Sequence, residues 1–353
     1  MQLHRSIFAG NAAMAPVFSY QEGNGGAVSI QCWSGDLTLN DCYFHNNSAD
    51  GGGGGLVMFT EHADVALNSS EFANNSALDG GGFAFQATTP ASDAAVSITS
   101  CTFSYNSANS SGGALSVSAQ TLLLVNSTMS SNAARKDGGA LSLESGRVAN
   151  ISSCDFLNNT AGGDGGAIVT KDTAQGSIML SVTIFGCSGN IARNNGGCMC
   201  VGATTTCSAE ACLFSDNQAL GVLSPAAISS RLVDSGGGAV WVRQGAAVQI
   251  IGGDFERNSA SQAAGGAIAG QPSELSMAAS DIYGCSALFG GAIALSAVSS
   301  VNVLVNVTNN QAQMDGGAVW LSFFTSVTLG ESFVQNSAGR DGGVVSLWDP
   351  NDQ

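Results

Sequence analysis

Residues 156–168 read FLNNTAGGDGGAI and hold two signatures in tandem. Phe156, Asn159 and Ala161 form Phe-x-x-Asn-x-Ala; Gly165, Gly166, Ala167 and Ile168 form Gly-Gly-Ala-aliphatic. Outward from this stretch, in both directions, the pair of signatures returns until there are twelve copies. The first signature begins at Phe8, Phe44, Phe72, Phe103, Met129, Phe156, Cys187, Phe214, Phe255, Ile282, Val307 and Phe333. Its fourth place is Asn in every copy but one, where Cys285 stands, and its sixth place is always Ala. A glycine pair follows each time, and several intervals are 26 or 27 residues. A recurring period of that length marks a repeat architecture, in which each unit stacks on its neighbours.

Between the signatures lie short apolar runs with period-two alternation, broken by Asn, Gly, Ser and Asp. Such runs predict short strands between turns. In residues 139–143, GALSL, Leu141 and Leu143 share one face while Ala140 and Ser142 share the other. One coil cannot bury its apolar face alone. Coils stacked roughly 4.8 Å apart as parallel strands can. The sequence therefore predicts an all-β fold, a single-stranded right-handed parallel β-helix of about 12 coils, roughly 55 to 60 Å long on that spacing. Phe should stack on Phe in the interior. Asn in the fourth place suits a tight bend, because it tolerates left-handed backbone while its amide bonds along an Asn ladder. The glycine pair allows backbone closed to other residues, and Ala beside it implies a crowded corner. A leucine-rich solenoid would need Leu at short fixed offsets, and collagen would need Gly at every third place. Helical repeats would need 3.6-residue periodicity and far fewer than 47 Gly.

The pairing of Gly-Gly-Ala-[Ile/Leu/Val] with Phe-x-x-Asn resembles the double signature of the polymorphic outer membrane protein repeats of chlamydiae, over nearly the whole chain. Related repeats occur in large surface proteins of algae and other protists. The resemblance implies a β-helical passenger of a surface-exposed, adhesin-like protein, and it does not imply an enzyme. The signal peptide and C-terminal barrel of that family are not legible in these residues. The expectation is therefore a segment whose polypeptide continues at both ends, located extracellularly or at the cell surface.

A length of 353 residues would ordinarily suggest two or three domains. The uninterrupted repeat points instead to one solenoid over residues 1–353, with loop insertions at 14–24 and 220–236. Charged residues make up only 10%, a composition unlike that of disordered chains. The net charge of −16 disfavours nucleic acid and anionic membrane surfaces, and it admits cations or basic partners. No run of eighteen apolar residues is present, so no transmembrane segment is expected. Residues 1–15 already carry Phe8, Asn11 and Ala13 of the repeat, and no apolar signal-peptide core follows them.

The reactive side chains are weighed against plain structural roles. Cys42, Cys101, Cys154 and Cys212 lie two residues before the Phe-type place, so they should face inward on alternate coils. Neighbours in that column would be roughly 9.6 Å apart, beyond disulfide reach, and buried apolar thiols are expected. Cys198 and Cys200 should face outward, with a local bridge such as Cys200–Cys207 left open. His4, His45 and His62 lie far from this cluster, which weighs against zinc. Asp137, Asp164, Asp315 and Asp341 directly precede the glycine pair and should stack two by two. Calcium favours such oxygens, yet each coil offers one carboxylate, so solvated turn aspartates are expected and no metal or cofactor is assigned. Pectate-lyase-like enzymes share the β-helix and use basic residues with clustered Asp. Only Arg135, Lys136 and Asp137 approach that pattern, so no catalytic residue is assigned. Sequons begin at Asn46, Asn68, Asn74, Asn109, Asn126, Asn150, Asn158 and Asn306, not far above what composition supplies by chance.

The expected function is a non-enzymatic, surface-exposed or secreted β-helical rod, acting in adhesion or as a structural or binding module. The alternative is a polysaccharide-active lyase or hydrolase on the same fold. The candidate ligand-contact face is Phe85, Trp241 and Trp320, three residues after the glycine pair and so outward, with Met58 near in sequence. The two insertions should leave on the same side beside it. Exposed aromatics on a rigid sheet suit a host or cell-surface protein or a carbohydrate.

Overall fold

The computed structural model describes residues 1–14, 23–87, 89, 93–145, 148–172 and 177–348. One coil shows how the sequence builds the fold. Its strands are Leu115–Ser118, Thr121–Val125, Thr128–Ser130 and Ala133–Ala134. Alternation turns Leu115, Val117, Leu122, Leu124, Met129 and Ala134 inward, all buried, whereas Leu123 is 39% exposed. Each strand pairs in parallel with its counterparts in the coils before and after. Leu115 meets Phe83 and Leu141; Leu124 meets Ile98 and Ile151; Met129 meets Phe103 and Phe156; Ala134 meets Ala108 and Ala161. This register carries each repeat position onto the same position of the next coil, so one alternation pattern fills one continuous core.

The chain bends on single residues. Asn126 and Ser131 have φ of 50° and 56°, and the same two corners recur as Asp41 and Asn46, Ser69 and Asn74, Ser100 and Tyr105, and Ser153 and Asn158. The left-handed residue is therefore the one before the ladder Asn, which corrects the expectation that the ladder Asn itself makes the bend. The ladder side chain is held in the interior, so the strained backbone falls to its neighbour. Asn46, Asn74 and Asn158, all exposed, tolerate that conformation well. The glycine pair has two separate causes. Gly112 needs its φ of 67°, while a Cβ on Gly113 would sit 2.0 Å from the Gly139 carbonyl oxygen of the next coil.

Contacts divide the chain into two units, Met1–Gly162 with Ala167–Ser181, and Gly163–Gly166 with Val182–Gln353. Both are right-handed parallel β-solenoids. Together they make about 11 turns where 12 coils were expected, because twelve signatures enclose one fewer interval. In the first unit Phe8, Phe44, Phe72 and Phe103 stack with ring centroids 4.6–4.9 Å apart. Beside them Asn47, Asn75, Asn106, Asn132 and Asn159 form a buried ladder. Each amide Nδ2 of the first four donates to the Oδ1 of the next, at 2.9–3.1 Å. A second corner ladder alternates Cys42, Ser70, Cys101, Ser127 and Cys154. Cys42 N donates to Ser70 Oγ and Cys101 N to Ser127 Oγ, both at 3.1 Å. The thiols of Cys101 and Cys154 donate back to carbonyls of the preceding coil at 3.4 and 3.5 Å. The cysteines are thus inward and free, as expected, and they make hydrogen bonds besides filling space.

The second unit repeats the scheme with substitutions. Phe214 and Phe255 stack at 4.6 Å, and Ile282 and Val307 continue the column. Asn190, Asn217 and Asn258 form one ladder segment, and Asn310 with Asn336 another. Cys285 bridges the gap: its backbone N donates to Asn310 Oδ1 at 2.8 Å, and its thiol donates to the Phe255 carbonyl at 3.8 Å. A thiol can replace one amide donor there, and it loses the other. The insertion 14–24 falls mostly on residues outside those described; only Met14, Gly23 and Asn24 of it are described.

Replacing a ladder Asn by Ala strands partners in two neighbouring coils. Asn106→Ala should lower unfolding free energy by about 1–3 kcal/mol. Exposed Asn150→Ala should stay within about 0.5 kcal/mol of the parent. Urea melts followed by far-ultraviolet circular dichroism check both, and equal midpoints for the two variants would contradict the ladder's role.

Candidate functional site

The expected contact face is buried. Phe85, Trp241 and Trp320 are 2%, 7% and 3% exposed, and Met58 is 0% exposed. For Phe85 the reason is register. Three glycines, Gly80 to Gly82, precede it, and Phe83 pairs with Leu115, so Phe85 aligns with Val117 and Met58 in an inward column. Trp241 and Trp320 do lie on the outward column, beside Cys200 and Ala269 and beside Ala294 and Ser346. Trp320 is covered by the chain's own insertion.

The insertion 220–236 builds its cover locally. Ser224, at ψ 149°, caps the helix Pro225–Ser230 by accepting from Ala227 N at 3.0 Å, and Pro225 takes the first helical position. The helix stops at Arg231, left-handed with φ 55°. From there the segment is pinned along the outward column of the second unit. Val233 N donates to Ser296 Oγ at 2.8 Å, Gln271 Nε2 donates to the Val233 carbonyl at 2.8 Å, and Ser322 Oγ donates to the Arg231 carbonyl. Leu223 N donates to the Gln262 carbonyl at 3.1 Å. The insertion is a strap laid across several coils.

Two of the four turn aspartates anchor this region. Asp164 accepts from Asn195 N at 3.2 Å, Asn195 Nδ2 at 3.1 Å and Arg243 NH2 at 3.0 Å. Asn195 Oδ1 in turn accepts from Gly236 N, at the end of the insertion, at 2.9 Å. Asp315, 1% exposed, accepts from Arg340 Nε at 2.7 Å and from Arg340 NH2, and Asp341 N donates to it at 3.2 Å. Arg231 NH1 lies 3.7 Å from its Oδ2. The hydrogen bonds from Arg340 hold the Asp315 carboxyl below the usual carboxylate range, against the opposing effect of burial. The picture of solvated turn aspartates is thus corrected at Asp164 and Asp315, where arginine and amide donors fill the carboxylate. Arg135 and Lys136 are exposed and Asp137 is half-buried.

The cysteine cluster also departs from expectation. Cys187, at a Phe-type place, is joined to Cys198, while Cys200 and Cys207 are buried and not disulfide-bonded. Cys198 takes the Ala place of its coil, the crowded corner where Ala114 and Ala140 are 0% exposed, so it faces the interior column rather than solvent. Burial pushes the Cys101, Cys154 and Cys212 thiols up to about 11, and those of Cys207 and Cys285 to about 12. Thiols so protonated are poor nucleophiles at neutral pH.

The Asp315–Arg340 contact gives this region a pH dependence. A folded-state value below the unfolded value of about 3.9 means its contribution is complete above that pH and is lost as pH falls through the lower folded value. Arg340 is half-exposed, so water screens the pair, and Asp315→Asn should cost about 1–2 kcal/mol at pH 7. Melting temperatures of the two chains should differ at pH 7 and converge near pH 2. A constant gap across that range would contradict the assignment.

Among the described residues no helix is long and apolar enough to cross a membrane, which says nothing of a β-barrel. No curated protein and no solved structure matches the chain. A family model does match, over residues 41–57, 100–118 and 153–171. Each matched segment runs from a left-handed corner through the Phe strand and ladder Asn to the glycine pair, so what matches is the stacking unit itself. At these three places the chain matches the model of the Chlamydia polymorphic membrane protein repeat.

Proposed function

We propose that the chain is a non-enzymatic β-solenoid segment, displayed on a cell surface or secreted, that offers its exposed strand faces to a protein or a carbohydrate in adhesion. One observation carries this reading: a membrane-protein repeat is built here into a stack whose recurrent Asn side chains are taken up by internal hydrogen bonds. The repeat supports the framework, and partner recognition falls to side chains that vary from coil to coil. In the second unit such side chains line a shallow groove of about 440 Å³, among them Asp254, Glu256, Asp281, Tyr283 and Asn306. Tyr283 is 46% exposed. An aromatic ring flanked by carboxylates suits cationic side chains or sugar hydroxyls. The net charge of −16 favours a basic partner in approach.

The polysaccharide-active reading is favoured by the same groove. Its carboxylates stand on successive coils next to Arg257, whose Nε and NH2 donate to Asp216 at 2.8 Å and whose NH1 donates to Glu256 at 2.9 Å. Those bonds occupy the guanidinium, which supports binding over proton abstraction.

Beads coated with the chain should be retained on panels of cell-surface proteins and polysaccharides. The double variant Tyr283→Ala, Asp281→Asn should reduce retention about fivefold or more with little change in melting temperature, since both residues are exposed. Retention no better than that of uncoated beads would remove the adhesive reading. Release of unsaturated product from polygalacturonate with calcium would replace it with the enzymatic one.

A further inference from the structure

The strap does not close fully on the coils beneath it. A cleft of about 100 Å³ remains under the helix Pro225–Ser230. Leu223, Ile228, Val233, Phe289 and Met314 give it apolar walls. Trp320 also lines it, 3% exposed, and the indole Nε1–H is buried without a hydrogen-bond partner. The charged residues on the lining are both arginines, Arg231 and Arg340. Arg340 is committed to Asp315 through Nε at 2.7 Å. Arg231 is not: its NH1 lies 3.7 Å from Asp315 Oδ2, outside hydrogen-bond reach, and its guanidinium lies over the Trp348 ring at 5.7 Å. A guanidinium carries five N–H donors in a fork that fits a carboxylate, and these are open.

Native structures rarely keep a buried donor unpaired, so the indole N–H calls for an acceptor. The walls call for an aliphatic body. The open guanidinium calls for negative charge. Size narrows the choice further: an apolar cavity of roughly 150 Å³ holds benzene, so this smaller cleft suits a body of isobutyl size. We propose that the cleft binds a small branched aliphatic monocarboxylate. Its body lies against Ile228, Val233 and Phe289, one carboxylate oxygen accepts from Trp320 Nε1, and the other accepts from Arg231. Arg231 belongs to the strap and Trp320 to the strand beneath it, so the ligand fastens one to the other. This site is separate from the groove at Tyr283 and stands or falls independently of adhesion.

Isovalerate is the probe, added to the full chain. The chain has 4 Trp, so its indole N–H resonances can be resolved by two-dimensional NMR, and Trp320→Phe identifies the relevant one. With isovalerate that resonance should move downfield and saturate, and the melting temperature should rise. Isovaleramide, of equal size but uncharged, should bind about tenfold more weakly. Ile228→Trp enlarges a side chain that is 43% exposed on the strap helix, fills the cleft and leaves Trp320 and Arg231 in place; it should abolish the shift. The proposal is overturned by an indole resonance unmoved at tens of millimolar isovalerate, by an undiminished shift in Ile228→Trp, or by equal affinity for the amide.

Discussion

The stack depends on buried side-chain amides whose hydrogen-bonding sites are filled from neighbouring coils, in every copy of the repeat but the one where Cys285 stands. Asn75 is representative. Its Oδ1 accepts from Asn47 N at 3.0 Å and Asn47 Nδ2 at 2.9 Å, and its Nδ2 donates to the Phe44 carbonyl at 2.8 Å and to Asn106 Oδ1 at 3.0 Å. An amide has two donors and two acceptor lone pairs, so none is left over. Asp has no donors, Gln is one methylene too long, and Ser cannot reach both coils. The neighbouring features follow from holding this amide inside. The residue before it turns left-handed, the residue whose carbonyl it binds lies on its counterpart in the next coil, and the second glycine leaves space for the following strand.

Most of that was legible in the sequence because a repeat shows one constraint many times over. The inward columns, the parallel pairing, the Asn ladder and the free inward cysteines follow from spacing alone. What was not legible depended on offsets of one residue or on distant partners. Gly80 to Gly82 hide which two glycines are the pair, and that shift moved Phe85 from the outer face to the inner one. The role of Asn46 was hidden behind that of Asn47, since the two are adjacent and chemically alike. Cys198 could be paired with Cys187 only by knowing that an Ala-type corner lies within reach of a Phe-type column.

The candidate site was hidden for a different reason. Trp241 and Trp320 are outward by alternation, and alternation cannot say what lies on top of a sheet. The insertion looked like a loop leaving the stack. Its Ser-Pro start signals a helix cap, and Val233, 1% exposed at its far end, belongs to a packed segment rather than a free one. The strap's partners Ser296, Asp315 and Ser322 come from later coils, and no local pattern announces them. In physical terms the framework is encoded in short-range periodicity, while the strap and its anchoring partners are encoded in exceptions to it.

The central claim is that the buried Asn amides are structural members of the stack. Side-chain amide hydrogen exchange measured by NMR tests it most directly. The Nδ2 protons of Asn75, Asn106 and Asn132 should exchange as slowly as the backbone amides of the strands beside them, because releasing one requires opening two coils. Exchange of those protons at the rate of a free side-chain amide, with the strands still protected, would contradict the account.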